Sequence, residues 1–190
     1  AGSVAAAWYA TNPLAALYVF LGAFFYAVVY TVWLKRRTWL NIVVGGLAGS
    51  FAVLAGAAAA NPELGAVPFL LALVLFLWTP PHFWSLAIAN SSDYAAAGVP
   101  MLPVVVGNAR AARIVFASTL ALVGVSLLPV LFGAGMVYFA GALIGGAHFI
   151  RKARQLARAP GRKTAMSSFH ASLAQLSLLL LAAIADALLF

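Results

Sequence analysis

Long apolar runs that are almost free of charge are the feature that most constrains how this chain can fold. Six of them, each at least 16 residues long, lie near 13–34, 40–60, 67–89, 111–132, 135–150 and 167–189. A bilayer core about 30 Å thick needs about 20 helical residues to cross it, so five runs are long enough and 135–150 is short. The stretch 114–150 is too long for one crossing, and we split it at 132–135, where two glycines allow a hairpin.

The composition supports lipid as the solvent for most of the chain. Its residues are 65% hydrophobic and only 7% charged, and the mean hydropathy is +1.05. A net charge of +8 with a pI near 10.5 would also suit a nucleic-acid-binding protein. The basic residues lie in three clusters between long apolar runs, which is typical of membrane-protein loops, so we expect a bilayer and no nucleic acid as partner. Cysteine is absent, which excludes disulfides and thiolate metal sites.

The loop charges predict the topology. Residues 1–10 are interpreted as the end of a helix, and every second connection after it is basic: 35–39, 90–110 and 151–166. The connections at 10–12, 60–66 and 133–134 contain no Lys or Arg, so all 11 basic residues fall on one side. The positive-inside rule makes that side cytoplasmic, and it includes Asp93. The prediction is an all-α polytopic transmembrane helix bundle with about six full spans plus the end of another, forming a single domain over 1–190.

A proline pair interrupts the third run. Pro80 and Pro81 remove two backbone donors and are expected to kink or break this helix. His82 lies next to them, between Trp78 and Trp84. A packed kink with interfacial aromatic residues and a histidine that faces a cavity are equally good interpretations. In a cavity, His82 would serve either as an iron ligand to a porphyrin or as a hydrogen-bond donor.

Asp93 is one of only three acidic residues, and Arg110 and Arg113 follow it in the same connection. One carboxylate and several cations at a membrane surface suit a Mg²⁺-bound diphosphate. Lys35, Arg36 and Arg37 reach the same face from another loop. Attraction to anionic lipid headgroups explains the basic residues alone nearly as well. Glu63 and Asp186 fall at or near the outer side, where no catalytic role is expected.

Several sequence elements resemble one known family. The stretches "WLKRRT" at 33–38, "TPPHFW" at 79–84 and "DYAAAGVPMLP" at 93–103 are similar to those of protoheme IX farnesyltransferases, or heme O synthases. These enzymes are the heme branch of the UbiA-type intramembrane prenyltransferases. The resemblance runs through most of the chain.

The resemblance implies a fold and an activity. Family members have nine transmembrane helices around a cavity that opens to the cytoplasm, in the inner (plasma) membrane of bacteria. Mg²⁺ and the diphosphate of farnesyl diphosphate bind at two aspartate-rich loops. The farnesyl group is transferred to a vinyl group of heme B, giving heme O, the precursor of heme A in terminal oxidases. Heme A synthase or oxidase assembly factors are the protein partners that this pathway implies.

The resemblance also assigns roles to individual residues. Asp93 matches an aspartate of the second acidic motif and is the expected catalytic and Mg²⁺-binding residue. The expected substrate-binding residues are Lys35, Arg36, Arg37, Asn41, His82, Tyr94, Arg110 and Arg113. Within this set the basic turn would bind diphosphate or heme propionates and His82 would lie near heme, whereas Asn41 has no assigned role.

Departures from the family pattern qualify this expectation. The chain looks like the C-terminal two-thirds of a family member, without the first two helices and the first Asp-rich motif. Residues 89–92 read Ala-Asn-Ser-Ser, where members usually have a basic and a further acidic residue. We therefore expect the chain alone to be inactive or nearly so. A degenerate or partial, non-catalytic heme- or isoprenoid-binding membrane subunit is the alternative, and an unrelated small transporter is disfavoured because paired intramembrane charges are absent from the sequence.

Overall fold

A computed structural model describes residues 2–189 as helices and short connections, with no strand in that range. The helices are α1 Gly2–Ala10, α2 Pro13–Phe24 with its π-helical continuation Phe25–Leu34, α3 Asn41–Ala60, α4 Ala66–Ala89, α5 Ser91–Ala96, α6 Leu102–Val106, α7 Asn108–Ser126, the 3-10 turn Leu128–Phe132, α8 Met136–Arg158 and α9 Arg162–Leu189. The predicted all-α architecture is confirmed. The expected domain limits at residues 1 and 190 lie outside the described residues.

The predicted spans correspond to the long helices. Five helical segments are long and apolar enough to cross a membrane: Pro13–Leu34, Asn41–Ala60, Ala66–Ala89, Asn108–Phe132 and Arg162–Leu189. The sixth predicted run forms the helix α8, but basic residues occupy its last two turns and leave a short apolar part. The chain is therefore an integral membrane protein with several spans.

The predicted hairpin before α8 is confirmed. Gly133 has a φ of +104° directly after the 3-10 turn, a backbone conformation that glycine adopts without steric cost. Gly135 then occupies the N-cap position of α8 in an extended conformation. These two glycines reverse the chain between α7 and α8.

Helices that are neighbours in sequence pack antiparallel. The Ser50 hydroxyl of α3 donates to the Ala72 carbonyl of α4 (2.9 Å), and further along the pair a Cβ added at Gly46 would lie 3.1 Å from Thr79. The connections 35–40, 90–107 and 159–161 therefore lie at one end of the bundle, which we call the basic end. The connections 11–12, 61–65 and 133–135 lie at the opposite, neutral end, which contains no Lys or Arg.

The helices form two regions. The first is a four-helix ring, in which α4 packs against α7 and α9, and α8 closes the circle by packing against the same two helices. The second is an arm formed by α1, α2 with its π-helical continuation, and α3, of which α3 packs against α4. Of the arm helices, α1 and the π-helical segment have no buried residue, and α2 buries only Ala15 and Ala16.

A kink or a break was expected at the proline pair; the break is wrong, and the kink stays a prediction. The helix α4 runs without interruption from Ala66 to Ala89, with Pro80 and Pro81 buried inside it. Proline has a φ compatible with a helix, and its cost is a missing donor and a clash with the preceding turn. Contacts with α3, α7 and α9 on three sides hold α4 helical through this point, as surrounding helices do for prolines in membrane spans.

Candidate functional site

A cavity of about 270 Å³ lies near the basic end, where the arm meets α4. Its lining residues are Tyr26, Tyr30, Lys35, Ile42, Gly45, Thr79 and Phe83. Lys35 is the one charged side chain of this set, and the rest of the wall is mostly aromatic and aliphatic. The cavity thus combines an apolar interior with a cation at the end where the other basic residues lie.

The π-helical segment shapes one wall of this cavity. The Lys35 N–H donates to the Tyr30 carbonyl (2.8 Å), five residues back, and the rings of Tyr26 and Tyr30 stack with centroids 6.0 Å apart. The Tyr30 ring lies against Gly45, where an added Cβ would come within 2.8 Å of it. Segments of π-helix occur frequently at functional sites, and nothing in the hydrophobic pattern of residues 25–34 indicated this one.

Asn41 holds the basic turn in place. Its side-chain amide donates to the Lys35 carbonyl (3.1 Å), and the residue is buried at the start of α3. The Asn41 Oδ1 and the Trp84 Nε1 are buried without a hydrogen-bond partner within residues 2–189. Asn41 was expected in the site from the resemblance, without an assigned role. It thus fixes the backbone that carries Lys35, Arg36 and Arg37.

Asp93 and Tyr94 lie on the short helix α5, directly after α4. The Asp93 carboxylate is exposed and accepts a weak hydrogen bond from Ser92 Oγ (3.4 Å). The Asn108 side chain donates to Ser91 Oγ (3.3 Å) and ties α5 to the first turn of α7. The exposed residues Arg110 and Arg113 follow in the first two turns of α7.

The structure places the expected charged site residues at the same end of the bundle. They come from three segments: the turn after the π-helix, the helix α5 and the start of α7. In the described part of the chain, no three His, Asp or Glu side chains come together in a way that would hold a metal ion. The acidic contribution at the basic end is Asp93 alone.

His82 is packed inside the ring. The residue is 6% exposed. Its imidazole lies between the aromatic rings of Trp78 (centroids 4.0 Å apart) and Phe169 (4.5 Å). The Nδ1 atom is 2.7 Å from the Ser172 hydroxyl of α9. Of the two interpretations that the sequence left open, these contacts favour the packed one.

Sequence reasoning missed the polar face of α9. Ser168 and Ser172 are fully buried and form hydrogen bonds to α4, with Ser85 Oγ 3.0 Å from Ser168 Oγ and the Trp78 indole donating to the Ser172 carbonyl (2.9 Å). Gln175 continues this face, and both of its amide atoms are buried without a partner among residues 2–189. The spacing of 168, 172 and 175 is the signal that could have found them, since such residues share one face of a helix.

Asp186 has a structural role at the neutral end, where the sequence placed it. Its carboxylate accepts hydrogen bonds from the backbone N–H groups of Gly135 (2.6 Å), Val137 (3.2 Å) and Tyr138 (3.3 Å). These are donors at the start of α8 that have no partner within the helix. Asp186 thus caps α8 from the neighbouring helix α9, and no catalytic part follows from this geometry.

Comparison with known proteins identifies related sequences. The UbiA prenyltransferase family profile matches residues 1–179. The chain is 62% identical over 187 residues to "Protoheme IX farnesyltransferase 2" of Paramagnetospirillum magneticum, covering 98% of this chain and 65% of that protein. It is 54% identical over 178 residues to "Protoheme IX farnesyltransferase 1" of the same organism, covering 93% of this chain and 63% of the relative.

A more distant relative also matches most of this chain. "Protoheme IX farnesyltransferase" of Thermus thermophilus is 43% identical over 180 residues, covering 94% of this chain and 30% of the relative. The chain thus spans less than two thirds of the length of each of these relatives. No solved structure gives a significant match.

Proposed function

The chain belongs to the UbiA prenyltransferase family, and from this premise we propose that it takes part in farnesyl transfer to heme. In the proposed reaction the C–O bond between farnesyl and diphosphate breaks, and the diphosphate leaves with the electron pair. The farnesyl carbon bonds to a vinyl group of heme B, which leaves a cation on the other vinyl carbon, and water adds to that cation and releases a proton to give the hydroxyl of heme O. The names of the relatives support this substrate pair.

The cavity at the basic end is the observation that carries the proposal. A farnesyl chain is apolar and its diphosphate is strongly anionic, so a suitable site has a dry wall and cations at its mouth. The cavity beside Tyr30 has both, since Lys35 is in its lining and Arg36 and Arg37 follow in the same exposed turn. Ammonium and guanidinium groups stabilise the charge that develops on a departing diphosphate.

The aromatic wall supports a second part of the proposal. An allylic cation reacts with water unless the site excludes it, and the rings of Tyr26, Tyr30 and Phe83 contribute apolar surface to the cavity wall. The negative face of an aromatic ring also attracts a nearby cation. In the proposal these residues keep the cation dry until the vinyl group captures it.

Asp93 is proposed to contribute one oxygen ligand to Mg²⁺ bound to the diphosphate. Magnesium commonly uses one or two carboxylates together with phosphate oxygens and water, so an exposed carboxylate at the basic end fits a shared ion. The described residues do not form a metal site on their own. The ion would neutralise charge on the diphosphate, and Arg110, Arg113 and Tyr94 would bind the remaining polar groups of the substrates from the same end.

The cellular setting of the proposal follows from the charges and the family. We place the basic end in the cytoplasm of a bacterial cell, with the spans in the inner membrane. Heme A synthase or oxidase assembly factors are the proposed protein partners, since heme O is the precursor of heme A.

The test uses membranes containing the full-length protein, supplied with heme B, farnesyl diphosphate and Mg²⁺. We expect formation of heme O, and we expect Asp93→Asn to lower the rate about tenfold or more. A charge-assisted contact contributes about 1.5–3 kcal/mol, which corresponds to about a tenfold to hundredfold change in rate. Glu63→Gln is the matched control because it removes the same charge at the neutral end, and an equal loss in both variants would reject the role of Asp93.

The role of Lys35 in binding can be tested by measuring the KM for farnesyl diphosphate. Lys35→Met keeps the unbranched shape and most of the length of the side chain and removes its charge, so we expect a higher KM for farnesyl diphosphate. Lys163→Met removes a charge from the start of α9 at the same end, outside the cavity lining. If both variants raise the KM equally, general attraction to the basic end explains the effect and the specific role of Lys35 is wrong.

A further inference from the structure

The helix α8 has one exposed face that changes from apolar to basic along its length. Residues three or four positions apart share a face of a helix. Exposed residues follow this spacing from the start of α8 to its end: Met136, Ala140, Ile144, Ala147, Arg151, Arg154 and Arg158. The apolar half is well exposed, with Met136 at 70% and Ile144 at 63%. We call this line of residues the α8 stripe.

The α8 stripe faces away from the rest of the protein. The helix packs against α7, α9 and the 3-10 turn, and the side opposite the stripe is buried, including Ala142, Phe149 and Ala153. The arm packs on α4 through α3, which is across the ring from α8. The stripe and the cavity with Lys35 therefore belong to separate surfaces of the protein.

The chain supplies no carboxylate to the basic half of the stripe from its own part of the sequence. No acidic residue occurs between Asp93 and Asp186. Asp186 caps α8 at the neutral end, and Asp93 lies on α5, which packs against α4 and α6. The arginines of the stripe therefore need an anion from outside the chain as their partner.

A surface pocket of about 270 Å³ lies where the two halves of the stripe meet. Its lining residues are Ala147, His148 and Arg151. The Arg151 Nη2 donates to the His148 Nδ1 (3.2 Å), because a guanidinium group has no acceptor, and an imidazole that accepts at Nδ1 carries its proton at Nε2. Both polar side chains of the pocket are thus hydrogen-bond donors, which suits an anion.

The apolar part of α8 is short for a bilayer. Residues 136–150 precede the first cation of the helix, and at about 1.5 Å per residue they span about 22 Å. The hydrocarbon core is about 30 Å thick, so Arg151 and Arg154 lie at or just below the lipid headgroups when Met136 is at the neutral surface. A cation at this depth is costly unless it is paired, and an anionic headgroup drawn toward the helix supplies the pair.

We propose that the α8 stripe binds one anionic phospholipid. The lipid phosphate occupies the pocket and accepts hydrogen bonds from Arg151, which can donate two parallel N–H groups to a phosphate. An acyl chain lies along Ile144 and Ala140, and Arg154 adds to the attraction for the headgroup. This lipid is distinct from the proposed substrates, and its binding does not depend on the proposed function.

The role of Arg151 can be tested by native mass spectrometry of the full-length protein in mixed micelles with phosphatidylglycerol or phosphatidylcholine. We expect the protein to retain phosphatidylglycerol in preference to phosphatidylcholine. Arg151→Gln should weaken phosphatidylglycerol binding by about tenfold or more, since a charge-assisted hydrogen bond contributes about 1.5–3 kcal/mol and about 1.4 kcal/mol is a tenfold change.

Arg162→Gln is the matched control, because it removes the same charge from the start of α9 at the same end. General attraction of one cation to an anionic surface is about 1 kcal/mol, so this variant should weaken binding about fivefold or less. Equal losses in the two variants would reduce the effect to general attraction and overturn the proposal. Equal retention of the two lipids by the parent protein would also overturn it.

The pocket can be tested without changing any charge. Ala147→Phe fills the pocket, and we expect it to weaken phosphatidylglycerol binding about tenfold or more. Ala140→Phe is the control, since Ala140 is exposed on the same stripe but outside the pocket lining. Both variants should keep the free energy of unfolding of the parent, because both side chains point out of the bundle. Parent-like lipid binding by Ala147→Phe would overturn the proposed position of the phosphate.

Inorganic phosphate distinguishes a lipid from a soluble anion as the occupant. We expect an excess of inorganic phosphate to leave phosphatidylglycerol bound, because the acyl chain adds contacts with the apolar half of the stripe that phosphate lacks. Release of the lipid by phosphate from the parent, but not from a control complex held by Ala147→Phe, would identify the pocket as a site for soluble anions and overturn the lipid as its occupant.

Discussion

The four-helix ring and the arm are stabilised by different kinds of contact. In the ring, buried hydroxyls join α4 to α9, and a Cβ added at Gly141 would overlap Ala182 of the facing helix. In the arm, α1 has no buried residue and α2 has two, both alanines. The third arm helix, α3, buries seven residues and packs closely on α4. Close packing and buried hydrogen bonds therefore lie in the ring and along α3, whereas α1, α2 and the π-helical segment are loosely packed. The cavity with Lys35 lies where this segment meets α3 and α4.

This contrast suggests a division of labour. Regions with few buried contacts open more easily than the core of a protein, and substrate sites that must admit a long apolar chain benefit from such a wall. The ring supplies the fixed side of the site through α4, and the π-helical segment of the arm supplies the adaptable side. Matched substitutions in the two regions test this division.

The largest effect on stability is expected from a single methyl group in the ring. Gly141→Ala places a Cβ against Ala182 and the Leu178 carbonyl, and overpacking of this kind costs about 1–3 kcal/mol. Gly56→Ala in the arm is the matched control, because nothing lies within 4 Å of the added atom and alanine favours a helix by up to about 1 kcal/mol. The free energy of unfolding of both variants can be measured in mixed micelles with increasing SDS. Equal effects would contradict the difference in packing between the ring and the arm.

A smaller loss is expected from the cap of α8. Asp186→Ala removes the acceptor for three backbone N–H groups, and loss of a helix cap costs about 0.5–2 kcal/mol. Glu63→Ala, at the same end but exposed between α3 and α4, should leave the free energy of unfolding nearly unchanged. The same unfolding measurement applies, and a stable Asp186→Ala variant would show that α8 does not depend on this carboxylate.

The smallest effect on stability is expected at Gly45 in the arm. A Cβ there meets the ring of Tyr30, which borders a cavity of about 270 Å³ and has space to shift. Gly45→Ala should change the free energy of unfolding by less than about 1 kcal/mol, within the range of a helical glycine-to-alanine exchange. Farnesyl transfer should nevertheless fall, because the displaced ring narrows the cavity.

Gly22→Ala is the control for this variant, since its added Cβ makes ordinary contacts at 3.4 Å and 3.6 Å, outside the cavity lining. Full activity in Gly45→Ala would show that farnesyl transfer does not depend on this cavity. A large loss of stability would show that the arm is packed as tightly as the ring.

The sequence was sufficient to predict the long helices and the end of the bundle at which each connection lies. The length of an apolar run and the charge of a loop are set directly by the bilayer. The spans, the hairpin at Gly133 and the shared end of Lys35 and Asp93 could therefore be predicted from the sequence. The expected break at Pro80 was wrong because the local rule for proline neglects three packed neighbours of α4. Tertiary packing decided that case.

The site was less predictable because its geometry depends on contacts between distant residues. His82 and Ser172 are 90 positions apart, and nothing at either position indicates the other. The π-helical segment that places Tyr30 on Gly45 follows no simple periodicity. Asn41 had been noted from the resemblance, yet its contact with the Lys35 carbonyl became visible only in three dimensions.

The most direct test of this account is the sidedness of its charged connections. The chain contains no cysteine, so single variants such as Arg37→Cys, Ser92→Cys and Glu63→Cys can be labelled with an impermeant thiol reagent in oriented membrane vesicles. The account predicts that positions 37 and 92 react from the cytoplasmic side and position 63 from the other. Labelling of positions 37 and 92 from opposite sides would contradict it, because the cations and Asp93 could not then serve one substrate.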